Sequence, residues 1–242
     1  VWDHIEELRR RIIVTVAVVV VATAVLYVFS WEILEIVLAP ISPYLGGEKL
    51  NLLGPFESFT FRFRVALYGA LVACSPIIIW QILAFFTPAL KPREQRYFVP
   101  TFFVAVALFL AGNAFAYFVV LGPAFEWILS QANSDIVTIL PEASRYLTGI
   151  VMLLLGFGLA FEIPIVIFYL VAFDVVSYRK MRANWRISYV VLMVVAAVAT
   201  PDWSPVTMGL LFAALLALYE GSLFIARIVL SRRIKAQEAA GY

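Results

Sequence analysis

YLTGIVMLLLGFGLAFEIPIVIFYLVAF, residues 146–173, decides the fold class: it carries one charge, Glu162, and is otherwise almost wholly apolar. A helix that crosses a bilayer needs about 20 such residues. Runs of the same kind lie on both sides of it, at 12–31, 65–90, 97–122, 187–201 and 205–226. They do not alternate polar with apolar residues, as the strands of a membrane barrel must. The expected fold is therefore an all-α integral membrane protein, a single domain over 1–242 with six transmembrane helices.

The whole composition agrees. Apolar residues make up 64% of the chain and charged residues 14%, with a net charge of +2 and a mean hydropathy of +0.96. A soluble domain is about half apolar and a quarter charged, so a soluble enzyme, a nucleic-acid binder and a disordered chain are all excluded. The single cysteine, Cys74, allows no internal disulfide, and the single histidine, His4, allows neither a two-histidine metal site nor an HExxH protease. No Gly-rich phosphate loop is present, and no aspartate lies inside a span, which leaves an intramembrane aspartyl protease without its pair. The chain reads as a non-enzyme with no cofactor or metal.

Lys and Arg give the orientation. Fourteen of the eighteen lie at the N-terminus (Arg9, Arg10, Arg11), after span 2 (Lys91, Arg93, Arg96), after span 4 (Arg179, Lys180, Arg182, Arg186) and in the tail (Arg227, Arg232, Arg233, Lys235). Both termini and these two loops are expected on the cytoplasmic side of a cell membrane. Lys49, Arg62, Arg64 and Arg145 fall on the outer side, where Arg62 and Arg64 are expected to snorkel or to pair with Glu57 or Glu48. Trp31, Trp127, Trp185 and Trp203 sit at span ends, the headgroup level that an amphipathic ring prefers. Residues 31–38 and 124–129 read as short amphipathic helices of the outer loops. Span 1 is too long for a cleavable signal and lacks a small-residue cleavage pattern. Spans 5 and 6 read as short: fifteen residues cover about 22 Å at 1.5 Å each, against a core of about 30 Å.

Three polar features are out of place. Glu162 lies in mid-span, next to Pro164, which breaks the helix. It reads either as a proton or partner site facing a cavity, or as a protonated acid hydrogen-bonded between helices. Glu220, near the cytoplasmic end of span 6, is expected to snorkel. Glu6, Glu7 and Glu94 stand among the cytoplasmic bases. Spacing alone favours local pairs such as Glu7 with Arg10 or Arg11; the other reading is an acidic site for a cationic ligand, since a carboxylate takes a guanidinium bidentately.

Taken together, these motifs resemble the TatC family, the polytopic core subunit of the twin-arginine protein translocase. HIEELRRR (4–11) resembles its N-terminal H-x-x-E-L-R pattern, and AFFTPALKPREQR (84–96) its first cytoplasmic loop, with Lys91, Pro92 and Gln95 departing from the usual residues. GNAFAYF (112–118), FGLAFEIP (157–164) and TPD (200–202) follow in the family's order. The resemblance implies a receptor that binds twin-arginine signal peptides of folded cargo. With single-span TatA/TatB-type partners and the proton-motive force it moves that cargo across the membrane, as a homo-oligomer within a larger complex. It further implies that Glu7 and Glu94 bind the signal arginines, that Arg9, Phe85, Pro88, Leu90 and Arg96 shape their site, that Glu162 is an intramembrane polar site, and that Asp202 lies at an outer cap near a partner-docking surface. The alternative from the residues is a proton-coupled secondary transporter with the proton on Glu162, although a repeat with paired broken helices is lacking.

Overall fold

The structure is a computed structural model, and it describes residues 2–45, 50–52, 54–86, 98–131, 142–172, 176–200 and 204–229. Among these residues it is all-helical apart from one isolated bridge between Asn51 and Glu142. The helices are α1 (Trp2–Val28), α2 (Ser30–Leu38), α3 (Pro55–Ala73), α4 (Ser75–Phe86), α5 (Phe98–Phe115), α6 (Leu121–Ser130), α7 (Ala143–Ala160), α8 (Ile163–Ala172), α9 (Tyr178–Ala183), α10 (Trp185–Ala199) and α11 (Pro205–Val229). A π-helical segment, Ala116–Val120, joins α5 to α6. Among the described residues, four helical stretches are long and apolar enough to cross a membrane: His4–Val28, Phe98–Ser130, Ala143–Val171 and Pro205–Ile228. The bent pair α3–α4 makes a fifth if counted as one span, and α10 is a shorter apolar helix.

The sequence boundaries need four corrections, each with a local cause. The first helix starts ten residues before the expected span, because the Glu and Arg of 6–11 are good helix formers and Glu7 and Arg11 pair one turn apart. The second begins at Pro55 rather than 65, with Gly54 extended before it and Pro55 at its first position, where a missing N–H costs nothing. It then bends by 55° between Ala73 and Ser75. Pro76, in the first turn of α4, cannot donate to the turn before it and its ring collides with the carbonyl four residues back. The expected surface helix at 124–129 instead continues the third helix through the π segment, burying Leu121, Ala124 and Phe125. Span 6 is not short: α11 has 25 residues, because Glu220, taken as near its end, is met by partners and does not stop it.

The chain divides into two compact units, residues 1–107 with 128–151, and residues 108–127 with 152–242. In the first, α1 packs along α3 and against α4. The buried residues of α3 are small or branched apart from Phe61: Phe61, Val65, Ala66 and Ala70. The Arg62 guanidinium closes the end of this unit. Its Nε donates to Ser30 Oγ at 2.9 Å, a second nitrogen donates to the Tyr27 carbonyl at 3.3 Å, and the group lies over the Tyr27 and Trp31 rings. Arg62 therefore takes neutral partners and ring faces, and the expected partner Glu57 accepts from Ser144 Oγ at 2.6 Å instead. Glu48 lies outside the described residues. Backbone pairing between Ala143 N–H and the Asn51 carbonyl ties the loop before α3 to the start of α7.

In the second unit α11 packs on α8 and α10. Its buried stripe is Thr207, Leu211, Leu215, Tyr219, Leu223 and Ala226, spaced three or four apart as one face of a helix requires. Elsewhere small residues bring backbones together. A Cβ on Gly156 would stand 2.5 Å from the Ala199 carbonyl oxygen, so α7 and α10 meet backbone to backbone. Association through such contacts is the usual way helices pack in lipid, where the tails are as apolar as leucine. Three helix hydroxyls are settled internally, as a bilayer favours: Thr23, Thr148 and Thr200 each donate to the carbonyl four residues back, whereas the Ser75 hydroxyl, at the bend where α4 begins, is buried without a partner.

Candidate functional site

Two polar constellations stand out, one in each unit. The first is at the N-terminal end of α1. Glu7 and Arg11 are one turn apart, and Arg11 Nε and Nη2 both donate to Glu7 Oε1, at 3.0 and 2.5 Å. The third Arg11 donor, Nη1, reaches Gln81 Oε1 on α4 at 3.1 Å. His4 Nδ1 lies 3.7 Å from the other Glu7 oxygen, and the His4 ring stacks on Phe85 with centroids 4.3 Å apart. The result is a guanidinium held on two sides, by a carboxylate on its own helix and by an amide on the next. Of the pairs expected from spacing, Glu7 with Arg11 forms.

Of the residues assigned to this site by resemblance, Glu7 and Phe85 come together through His4. Arg9 is exposed and stands about 200° around α1 from Glu7, away from that cluster. Pro88, Leu90, Glu94 and Arg96 lie outside the described residues, as does Asp202. The sequence reading missed Gln81. Its signal was available, since Gln81 is the one amide in the apolar run SPIIIWQILAFF.

The second constellation surrounds the break between α7 and α8. The helix turns at Phe161 and Glu162, and α8 restarts with Ile163 and Pro164. Pro164 thus occupies a first-turn position, where its missing donor is harmless, and the break falls just before it. Glu162 Oε1 is buried and makes no hydrogen bond, which a carboxyl in an apolar medium tolerates only at a cost. On α5, Asn113 is buried; its Nδ2 donates to the Phe109 carbonyl at 2.9 Å, while its Oδ1 is also buried without a partner. The helices approach closely here through glycines: a Cβ on Gly112 would lie 2.7 Å from the Phe157 carbonyl oxygen and 3.0 Å from Gly158 Cα, and one on Gly158 would strike the Asn113 amide and the Phe109 ring. Phe115 packs on the rings of Phe157 and Phe161. Of the two readings of Glu162, the hydrogen-bonded one finds no partner for Oε1 among the described residues.

Glu220 does not snorkel alone. It accepts from Arg182 at 2.5 Å and from the Tyr189 hydroxyl at 2.9 Å, and the hydrogen bond and charge of Glu220 raise the Arg182 pKa. One residue earlier, the Tyr219 hydroxyl donates to Ser188 Oγ at 2.9 Å. The short α9, capped by Ser177 through the Lys180 N–H, is thereby fastened to α10 and α11. Among the described residues there is no group of three or more His, Cys, Asp or Glu side chains fit to hold a metal.

Comparison with known proteins agrees with this picture across the chain. The family model for TatC, Sec-independent protein translocase protein, matches residues 3–213. A TatC of Carboxydothermus hydrogenoformans is 32% identical over 228 residues, covering 94% of this chain and 93% of that protein. That of Aquifex aeolicus is 29% identical and covers 98% of both. The fold is similar to the crystal structure of a twin-arginine translocase receptor, TatC, with a TM-score of 0.76 and 30% identity, covering 93% of this chain and 98% of that one. Membership by sequence, fold similarity and the five motifs in their order all lead to one statement: the chain belongs to the TatC family, and is a multi-pass, non-enzymatic subunit of the Sec-independent protein translocase.

Proposed function

We propose that this chain is the signal-peptide receptor of its translocase, that its first cytoplasmic site takes the two arginines of the signal on Glu7 and Glu94, and that Arg9, Phe85, Pro88, Leu90 and Arg96 shape that site. The observation that carries the reading is that Glu7 already holds a guanidinium in a forked contact. Two carboxylates for two guanidiniums give a geometric reason for a paired-arginine signal. Lysine, a point charge without the fork, binds such a site less well.

In this reading the membrane domain has six spans, α10 being the fifth, with both termini cytoplasmic, in the cell membrane. Glu162 serves as the intramembrane polar site that meets the signal or a helix of a TatA/TatB-type single-span partner, and Asp202 lies beside a docking surface on the outer side. Transport of folded cargo draws on the proton-motive force, and several copies work together in the complex. The unpartnered Glu162 oxygen supports a contact made only when another helix arrives.

The test is binding of a synthetic signal peptide to the purified protein in detergent. Arg-Arg peptide is expected to bind, and binding is expected to fall with a Lys-Lys version and with Glu94→Ala. Equal binding of both peptides overturns the assignment of the site.

A further inference from the structure

We infer that Arg11 is a resident competitor for the signal: it occupies the Glu7 carboxylate that a ligand arginine must take, and has to be displaced for the signal to bind. This rests on the receptor reading above and deepens it. The geometry is specific. Both donors on one edge of the Arg11 guanidinium converge on Glu7 Oε1, at 3.0 and 2.5 Å. The His4 ring, stacked on Phe85, lies 3.7 Å from Oε2, beyond hydrogen-bond reach. Arg11 thus takes one carboxylate oxygen with two donors, and an incoming guanidinium cannot hold both oxygens of Glu7 until Arg11 gives up Oε1.

Displacement is feasible because Arg11 does not depend on Glu7 alone. Its remaining nitrogen is held by the neutral Gln81 amide at 3.1 Å, so the side chain has a second anchor from which to give up the carboxylate. The contact is also exchangeable: the Glu7 and Arg11 side chains keep 30% and 24% of their surface in solvent, and pairs of this kind are modest in strength and screened by salt. A receptor built this way exchanges one arginine for another rather than filling an empty pocket. Its affinity is lowered by the contact that Arg11 gives up.

The arrangement makes a prediction of sign. If Arg11 competes, removing it strengthens signal binding; if Arg11 instead orients Glu7 for the ligand, removing it weakens binding. The experiment measures the affinity of an Arg-Arg signal peptide for the purified full chain in detergent, for wild type, Arg11→Gln, Arg11→Lys and Glu94→Ala. Arg11→Gln is expected to bind more tightly than wild type, by up to about fivefold, the upper end of what an exposed pair is worth when converted to affinity. Arg11→Lys, which keeps the charge and loses the fork, is expected to fall between the two. Raised salt is expected to narrow the gap between wild type and Arg11→Gln. Unchanged or weaker binding by both Arg11 variants, each confirmed as folded by a wild-type elution profile and unfolding temperature, overturns the competitor role while the receptor reading stands. Binding that is insensitive to Glu94→Ala and to Lys-Lys replacement overturns the receptor reading itself, and the competitor role with it.

Discussion

Gly112→Ala isolates the closest contact between α5 and α7 in the second unit. The added Cβ would lie 2.7 Å from the Phe157 carbonyl oxygen, 2.9 Å from the Phe161 ring and 3.0 Å from Gly158 Cα. Two of those three neighbours are backbone atoms and cannot rotate away. To bring the carbonyl to an ordinary 3.4 Å contact, α5 and α7 must separate by about 0.7 Å, and the packing of Phe115 on Phe157 and Phe161 separates with them. Overpacking of this kind costs about 1–3 kcal/mol. The control is Gly149→Ala on α7, where an added Cβ meets nothing within 4 Å. That change removes only the helix penalty of glycine and gains up to about 1 kcal/mol. The two alanine variants are therefore expected to move stability in opposite directions, read by tryptophan fluorescence during denaturation in detergent. Gly112→Ala as stable as Gly149→Ala would refute the close crossing and the account of the small residues around Glu162.

Three further outcomes rest on the polar contacts. Glu162→Leu is expected to raise resistance to unfolding by about 1–3 kcal/mol, the cost of a buried polar atom without a partner, and to abolish export of a twin-arginine cargo in cells; loss of stability instead would mean the carboxyl is well paired. Arg62→Leu is expected to lose about 1–3 kcal/mol, since it leaves the Tyr27 carbonyl and Ser30 hydroxyl without their donor, and adding Ser30→Ala should cost less than its own single change. A double-mutant cycle on Arg182 and Glu220 is expected to give a small coupling that shrinks as salt is raised, because Arg182 is half exposed; a salt-independent coupling would mean the pair is sheltered.

The helical class was legible in 146–173 and its neighbours because a bilayer imposes length and apolarity directly on the chain. Helix ends were less legible, since charge marks where lipid stops and not where hydrogen bonding stops. Trp2–Val28 passes through Glu6, Glu7 and three arginines without a break. The bend at Cys74 turned on Pro76, which a search for charge-free runs passes over. At the candidate site, the Glu7–Arg11 pair was readable from its i,i+4 spacing. Gln81 was not readable as its partner, because it lies seventy positions away and becomes a neighbour only when α4 packs on α1. Arg62 was misread for a related reason: its partners Tyr27 and Ser30 carry no charge, and charge was what the reading followed.

The π segment at Ala116–Val120 gives the third long helix a property that plain α-helices do not share. A π turn holds one residue more than an α turn would. Deleting one residue from it would leave a plain α turn, and α6 would keep its present azimuth, with Leu121, Ala124 and Phe125 still inward. The same deletion from an α turn on either side would rotate everything beyond it by about 100°. In most proteins a single-residue insertion or deletion is absorbed in a loop, where chain is cheap to lengthen. Here the slack lies inside a helix, in five residues that can give one up without turning the face that follows.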